Sequence, residues 1–204
     1  MSKKFIGIYS KSDILTLLGL AFAMLGIFSS MSGNPRYGIF CLMFAAMCDG
    51  FDGVVARKLQ RSKAAEFYGV ELDSLVDIVS FGVLPVVIGW SLGNNGILNI
   101  LIFVFYICCG VIRLAYFNTL SAEKSSEPGY FAGMPITTIA ILLPLVYFTS
   151  ERFNFTNGYR FVFLIAGLFF ILNIKIKKPN LALRILLCAA GVLAIVLYTI
   201  LNLS

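Results

Sequence analysis

The chain has 204 residues, of which 59% are hydrophobic and only 13% charged, with a mean hydropathy of +0.92. A soluble domain is nearer half apolar and a quarter charged, so these values exclude an ordinary soluble enzyme and point to a polytopic membrane protein, a single domain over residues 1–204. The net charge of +6 is carried without a single histidine. In a membrane chain that excess reports topology and not nucleic-acid binding, and the missing imidazoles exclude His-based acid–base chemistry and His metal ligation.

In chain order, the opening KKFIGIYSKSD predicts a short amphipathic piece lying along the cytosolic interface. A signal peptide is the weaker reading, because further spans follow and no small-residue cleavage site is evident. Seven hydrophobic segments come next: Asp13–Ser30, Tyr37–Leu59, Gly69–Leu92, Ile97–Leu120, Gly133–Ser150, Tyr159–Asn173 and Leu181–Leu203. The predicted fold is therefore an all-α transmembrane bundle of about seven spans. The sixth segment is short enough to be tilted, re-entrant or interfacial. The connections SGNPR, GNNG, SAEKSSEPGY and ERFNFTNG carry loop signals.

With the N-terminus inside, thirteen of the sixteen Lys and Arg residues fall on the cytosolic side, leaving Arg36, Arg152 and Arg160 outside. This asymmetry fits the positive-inside rule and places the protein in the cell membrane with a cytosolic N-terminus and the C-terminus, near Ser204, outside. Lys124, Lys175, Lys177 and Lys178 mark the inner surface and its anionic lipids. The five cysteines, Cys41, Cys48, Cys108, Cys109 and Cys188, form no CxxC pair and lie in apolar segments, where they read as small packing residues.

The second and third spans carry the anomaly. Six of the ten acidic residues fall between Cys48 and Pro85, where a carboxylate in hydrocarbon costs roughly 2.5–3.5 kcal/mol on insertion scales. Asp49 and Asp52 are three apart, about 60° around a helix, and Asp73 and Asp77 are four apart, about 40°. Each pair projects from one face of its own helix. The two helices are consecutive, antiparallel and joined by a short cytosolic turn. Asp49 stands eight residues before Arg57, about 12 Å along the axis, and Asp73 four residues after Gly69, so all four carboxylates reach one depth near the cytosolic interface.

Four convergent carboxylates repel unless cations sit between them, and an all-oxygen set selects Mg²⁺, Mn²⁺ or Ca²⁺ over Zn²⁺. Two such metals are the usual apparatus of phosphoryl transfer. Gly53 and Ala56 continue the Asp49–Asp52 face and leave room against the backbone, or serve close helix packing. Arg57 offers a guanidinium suited to a diphosphate. Glu66 and Glu71 read as solvated turn acids, Glu71 pointing away from the Asp73–Asp77 face.

The pattern Asp49-x2-Asp52-Gly53-x2-Ala56-Arg57…Gly69-x3-Asp73-x3-Asp77 resembles the signature of the CDP-alcohol phosphotransferases, integral membrane enzymes that move a phosphatidyl or similar group from a CDP-linked donor to an alcohol and release CMP. The stretch Lys58–Tyr68 is longer than the corresponding stretch usual in the family, and its extra residues fall in the turn. Flanking sequences GVELDSLVDIVSFGVLP, RLAYFN and FAGMPITTIA resemble family members that use CDP-diacylglycerol as donor and L-serine as acceptor; the likeness runs from about Asp49 to Tyr147. The first span is only loosely similar to the family, with Ser12-Asp13 where Pro-Asn is usual.

The resemblance implies that Asp49, Asp52, Asp73 and Asp77 bind two divalent ions, Mg²⁺ or Mn²⁺, and that Asp77 is also the general base for the acceptor hydroxyl. It implies that Asp49, Gly53, Ala56, Arg57 and Gly69 hold the cytidine diphosphate moiety, and that the protein is a homodimer among membrane lipids. Ser80, on the Asp73 face, either binds substrate or bonds a carbonyl one turn back. Arg113 reads as a binder of phosphate or of the serine carboxylate, or as a snorkelling anchor, and Asn118 is a weaker candidate for the same acceptor site. A same-family enzyme acting on glycerol 3-phosphate or inositol phosphate, or taking an archaeal diether donor, is the alternative. An ion path is remote, because its acids would be spread toward both membrane faces and here they are not.

Overall fold

The structure, a computed structural model, describes residues 7–8, 10–59, 61–123, 130–153 and 158–177; the side chains of 57–58, 130–132, 151–153 and 175–177 are outside the description. The expected seventh span Leu181–Leu203 and residues 3–6 and 9 of the expected N-terminal interfacial piece lie outside the described residues, and Lys11–Asp13 of that piece already belong to the first helix.

The described chain is helical. Helices α1 (Lys11–Met31) and α2 (Pro35–Lys58) form an antiparallel pair. Helix α3 (Lys63–Asp77) continues through a π-helical turn (Ile78–Val83) into α4 (Leu84–Ser91), then α5 (Ile97–Ala122) follows. A short 3₁₀ turn (Ile136–Thr138) leads into α6 (Ile139–Phe153), and α7 (Gly158–Ile171) closes the described helices. Four helical stretches, Lys11–Met31, Pro35–Ala56, Lys63–Ser91 and Ile97–Ala122, are long and apolar enough to cross a membrane. At 14 residues, α7 is about 21 Å long, shorter than the roughly 30 Å hydrocarbon core, in keeping with the short sixth segment read from the sequence.

Two features depart from the sequence reading. The third span begins at Lys63 and not at Gly69, because Ser62 caps it: its side chain accepts a hydrogen bond from Ala65 N at 3.3 Å. The six added residues put Glu66 in the exposed first turn of α3, where the helix dipole favours it. Glu71, expected to be a solvated turn acid, is instead half-buried inside the helix and accepts from Asn118 Nδ2 at 3.4 Å.

The second departure is a two-stranded antiparallel ribbon, β1 (Tyr130–Ala132) with β2 (Lys175–Lys177), in which Phe131 stands opposite Ile176. Gly133 ends β1 in the left-handed region at φ +76° and donates its N–H to Ile174 O at 2.8 Å. A Cβ there would sit 3.0 Å from Phe170 O and 3.2 Å from Leu172 O, so only glycine lets the chain fold against the end of α7.

The core lies between α5, α7 and the α3–α4 rod. Phe163 stands edge-on to Phe103 and Tyr106, with centroids 4.9 and 5.0 Å away. The fully buried Tyr106 hydroxyl donates to the carbonyl of Phe81 within the π-helical turn. That bond satisfies a phenol that has no access to water and pins α5 to the segment that follows Asp77.

The α1–α2 pair is held close by small residues. A Cβ added at Gly26 would stand 2.8 Å from Cys41 Cβ and 3.0 Å from Leu84 Cδ1. Because Cys41 Cβ is fixed to its backbone, Gly26→Ala must push the helices apart. It is expected to destabilise the protein by about 1–3 kcal/mol, read as a lower Tm in detergent. Gly50→Ala, whose added Cβ meets nothing within 4 Å, is expected to leave Tm unchanged or higher. Equal Tm values for Gly26→Ala and wild type would contradict this packing.

Candidate active site

The acidic residues meet as their spacing predicts. Asp49 and Asp52 come from one face of α2, Asp73 and Asp77 from one face of α3. One carboxylate oxygen each from Asp49, Asp52 and Asp73 lies within 4.8 Å of the others. Asp77 is buried beside them and lines the same void of about 10 Å³, with Thr16 and Ser80 on its wall. That volume is about the room one water or small ion occupies.

The donor set fits hard divalent cations. Oxygens on opposite sides of a Mg²⁺ ion bound at about 2.1 Å stand about 4.2 Å apart, so a slight closure of the three carboxylates brings them to ligating distance. Among the described residues no sulfur joins this cluster. Cys48, although next in sequence to Asp49, is not part of it.

Three side chains from outside the signature complete the surroundings. Thr16 of α1 donates from Oγ1 to Asp52 Oδ2 at 2.7 Å, both residues buried. Asp13 is also buried, and its carboxylate accepts from Ser10 N at 2.8 Å and from Ser10 Oγ at 2.6 Å, tying off the first turn of α1. Arg61 comes from the long turn between α2 and α3. Its Nη1 donates to Ser12 Oγ at 3.4 Å, and its Nε is buried without a hydrogen bond.

Asp13, Arg61, Lys11 and Ser62 border an open cleft of about 540 Å³. Gly69 lies beside two of these residues: a Cβ there would stand 3.0 Å from Arg61 Nη1 and 3.7 Å from Asp13 Oδ1. Gly53 is open, with nothing within 4 Å of where a Cβ would be, and Ala56 is half-buried one turn on. Arg57 lies in the last turn of α2, and its side chain is outside the description.

The remaining candidates separate. Ser80 is 1% exposed, and its hydroxyl makes no hydrogen bond within the protein, not even to a carbonyl one turn back. It therefore presents a free donor to the void. Arg113 is 6% exposed and does not snorkel to water: its Nε donates to Met134 O at 3.2 Å, its guanidinium carbon stands 5.5 Å from the Phe117 ring centroid, and it interacts electrostatically with Asp77. Asn118 sits elsewhere. Its amide accepts from Ser74 Oγ at 3.0 Å and donates to Glu71, bracing α5 against α3 and not lining the void.

The sequence profile of the CDP-alcohol phosphatidyltransferase family matches residues 10–173, and the chain belongs to that family. It is 37% identical over 137 residues to the CDP-diacylglycerol–serine O-phosphatidyltransferase of Saccharomyces cerevisiae, covering 63% of this chain and 49% of the yeast protein. It is 32% identical over 149 residues to the archaetidylserine synthase of Methanothermobacter thermautotrophicus, covering 72% of this chain and 62% of that one. With the CDP-diacylglycerol–serine O-phosphatidyltransferase of Bacillus subtilis the identity is 31% over 169 residues, 82% of this chain and 88% of the relative. The chain thus spans about half the length of the yeast relative and 62% of the archaeal one.

If the cluster binds cations, Mn²⁺ at roughly 100 times its Kd stabilises the folded protein by about 2.7 kcal/mol. The expected result is a rise in Tm that chelation reverses and that Asp52→Asn and Asp73→Asn abolish. A wild-type Tm indifferent to Mn²⁺ and Mg²⁺ would contradict it.

Proposed function

We propose that the protein transfers a phosphatidyl group from CDP-diacylglycerol to the hydroxyl of L-serine, releasing CMP. The observation that carries this reading is the convergence of the signature carboxylates at one buried point, in a chain similar over much of its length to enzymes named for the serine reaction. Two divalent ions, Mg²⁺ or Mn²⁺, would neutralise the diphosphate and stabilise the attacking and leaving oxygens.

Asp49, Asp52, Asp73 and Asp77 would hold those ions. The diphosphate and cytidine would lie along Gly53, Ala56 and Arg57 and toward Gly69, where a side chain would crowd Arg61 Nη1. Asp77 takes the proton of the serine hydroxyl. The serine oxygen attacks the lipid-proximal phosphorus, the bond to the bridging oxygen breaks, and CMP leaves with the electron pair. Ser80, with its uncommitted hydroxyl, and Arg113, a buried cation that interacts electrostatically with Asp77, would receive the acceptor or its phosphoryl partner. The Lys and Arg asymmetry supports a cell-membrane enzyme whose active site opens to the cytosol.

The test is CMP release by purified enzyme given CDP-diacylglycerol with L-serine, glycerol 3-phosphate or inositol phosphate. Release with serine alone is expected, and it should stop when metal is chelated. Preference for either phosphorylated acceptor would overturn the assignment of the substrate. Substituting a CDP-activated diether lipid separates a diacyl from an archaeal-type donor. Asp77→Asn retains shape but accepts no proton, so serine-dependent CMP release should fall by roughly 10²–10⁴ while metal-dependent donor binding persists. Near-wild-type turnover by this variant would remove Asp77 as the base.

A further inference from the structure

We infer that Thr16 is a positioning residue of the cation site: its hydroxyl fixes the Asp52 carboxylate in the orientation that ligates metal. This rests on reading the acidic cluster as a divalent-metal site. Thr16 lies on α1, outside the segment that carries the acidic signature, and reaches Asp52 across the α1–α2 interface.

The contact is built into that interface. Thr16 and Asp52 are 7% and 6% exposed, and the Oγ1–Oδ2 distance is 2.7 Å. The hydroxyl's other acceptor, the carbonyl of Ser12 one turn back, stands at 3.5 Å, too far to compete with a carboxylate. A hydroxyl has a single proton to give, and this one goes to Asp52. Threonine is stiff about χ1, so the donor is presented from a fixed direction.

The helices are close enough for so short a side chain. One turn on, a Cβ at Gly19 would stand 3.3 Å from Cys48 Cβ and 3.6 Å from Ala45 O. Thr16 and Gly19 both line the void shared by the four aspartates. Asp13, the acidic residue one turn before Thr16 on α1, has its oxygens engaged by Ser10 and Ser12.

The choice of a neutral donor matters. Lys or Arg at this position would also hold Asp52, but its charge would compete with the cation for the same carboxylate. Threonine orients the ligand and leaves the negative charge of the cluster intact. Outer partners of this kind are typically worth 10–100-fold in metal affinity.

The experiment titrates Mn²⁺ into purified, metal-free protein in detergent, without lipid or serine, and reads free Mn²⁺ by electron paramagnetic resonance. Wild type, Thr16→Val, Thr16→Ser and Thr16→Ala are compared, each with its metal-free Tm. Thr16→Val, which keeps the shape and loses the donor, is expected to bind Mn²⁺ about 10-fold or more weakly, while Thr16→Ser stays within about threefold of wild type. Should Thr16→Val fail to fold, the contrast between Thr16→Ser and Thr16→Ala carries the same comparison. Wild-type affinity in Thr16→Val, or a loss in Thr16→Ser equal to that in the donor-free variants, would overturn the role of Thr16 and leave the metal reading standing. No Mn²⁺ binding by wild type would instead remove the metal site and this inference with it.

Discussion

A carboxylate buried among apolar helices must be compensated, because removing its charge from water is costly and neighbouring ones repel strongly where the dielectric is low. Here three carboxylates bring oxygens within 4.8 Å of one another, with a fourth on the same small void. Protein groups close to them offer partial relief: a hydroxyl from Thr16 and a buried guanidinium at Arg113. Neither bridges the two helix faces. Divalent cations between α2 and α3 would do so, and would turn an electrostatic liability into a site that grips a diphosphate.

Much of the fold can be understood as holding those two faces at that separation. Small residues let α1 lie against α2, which is how Thr16 reaches Asp52. On the far side, the rod that carries Asp73 and Asp77 changes from α to π geometry immediately after Asp77. Such turns often occur at functional sites. This one presents a carbonyl to Tyr106 and an unbonded hydroxyl, Ser80, to the void. Asn118 and Glu71 brace α5 against the outer face of α3, and Arg113 joins the neighbourhood of Asp77 to the loop at Gly133 and Met134. Stiff supports of this kind suit a site whose ligands must keep their geometry.

The aspartates were legible in the sequence because they obey helical periodicity within single elements, and acids in apolar runs have few innocent explanations. Four of the seven expected spans, legible by length and hydropathy alone, recur as helices long and apolar enough to cross a membrane. What escaped depends on contacts between elements. Thr16 and Asp52 are 36 residues apart, and no local pattern pairs them. Arg61 looked like one more cytosolic charge until the turn folded back over Ser12 and Gly69. Two misses did have a local signal. Ser62 followed by Lys-Ala-Ala-Glu is a capped helix start, and it would have placed Glu71 inside α3. The alternation Ile174-Lys175-Ile176-Lys177 has the period of a strand, but its lysines were read only as a marker of the inner surface. The π-helical turn has no such signal, since Ile78–Val83 reads as ordinary apolar helix.

The central claim is that these aspartates form one site for two cations, and pulsed electron paramagnetic resonance of the protein loaded with two equivalents of Mn²⁺ tests it most directly. Two ions sharing one carboxylate cluster stand about 3.5–4 Å apart and give the spectrum of a spin-coupled pair. That spectrum should appear in wild type and be lost in Asp73→Asn. Two equivalents bound as isolated, uncoupled Mn²⁺ ions, with the same spectrum in Asp73→Asn, would contradict the account.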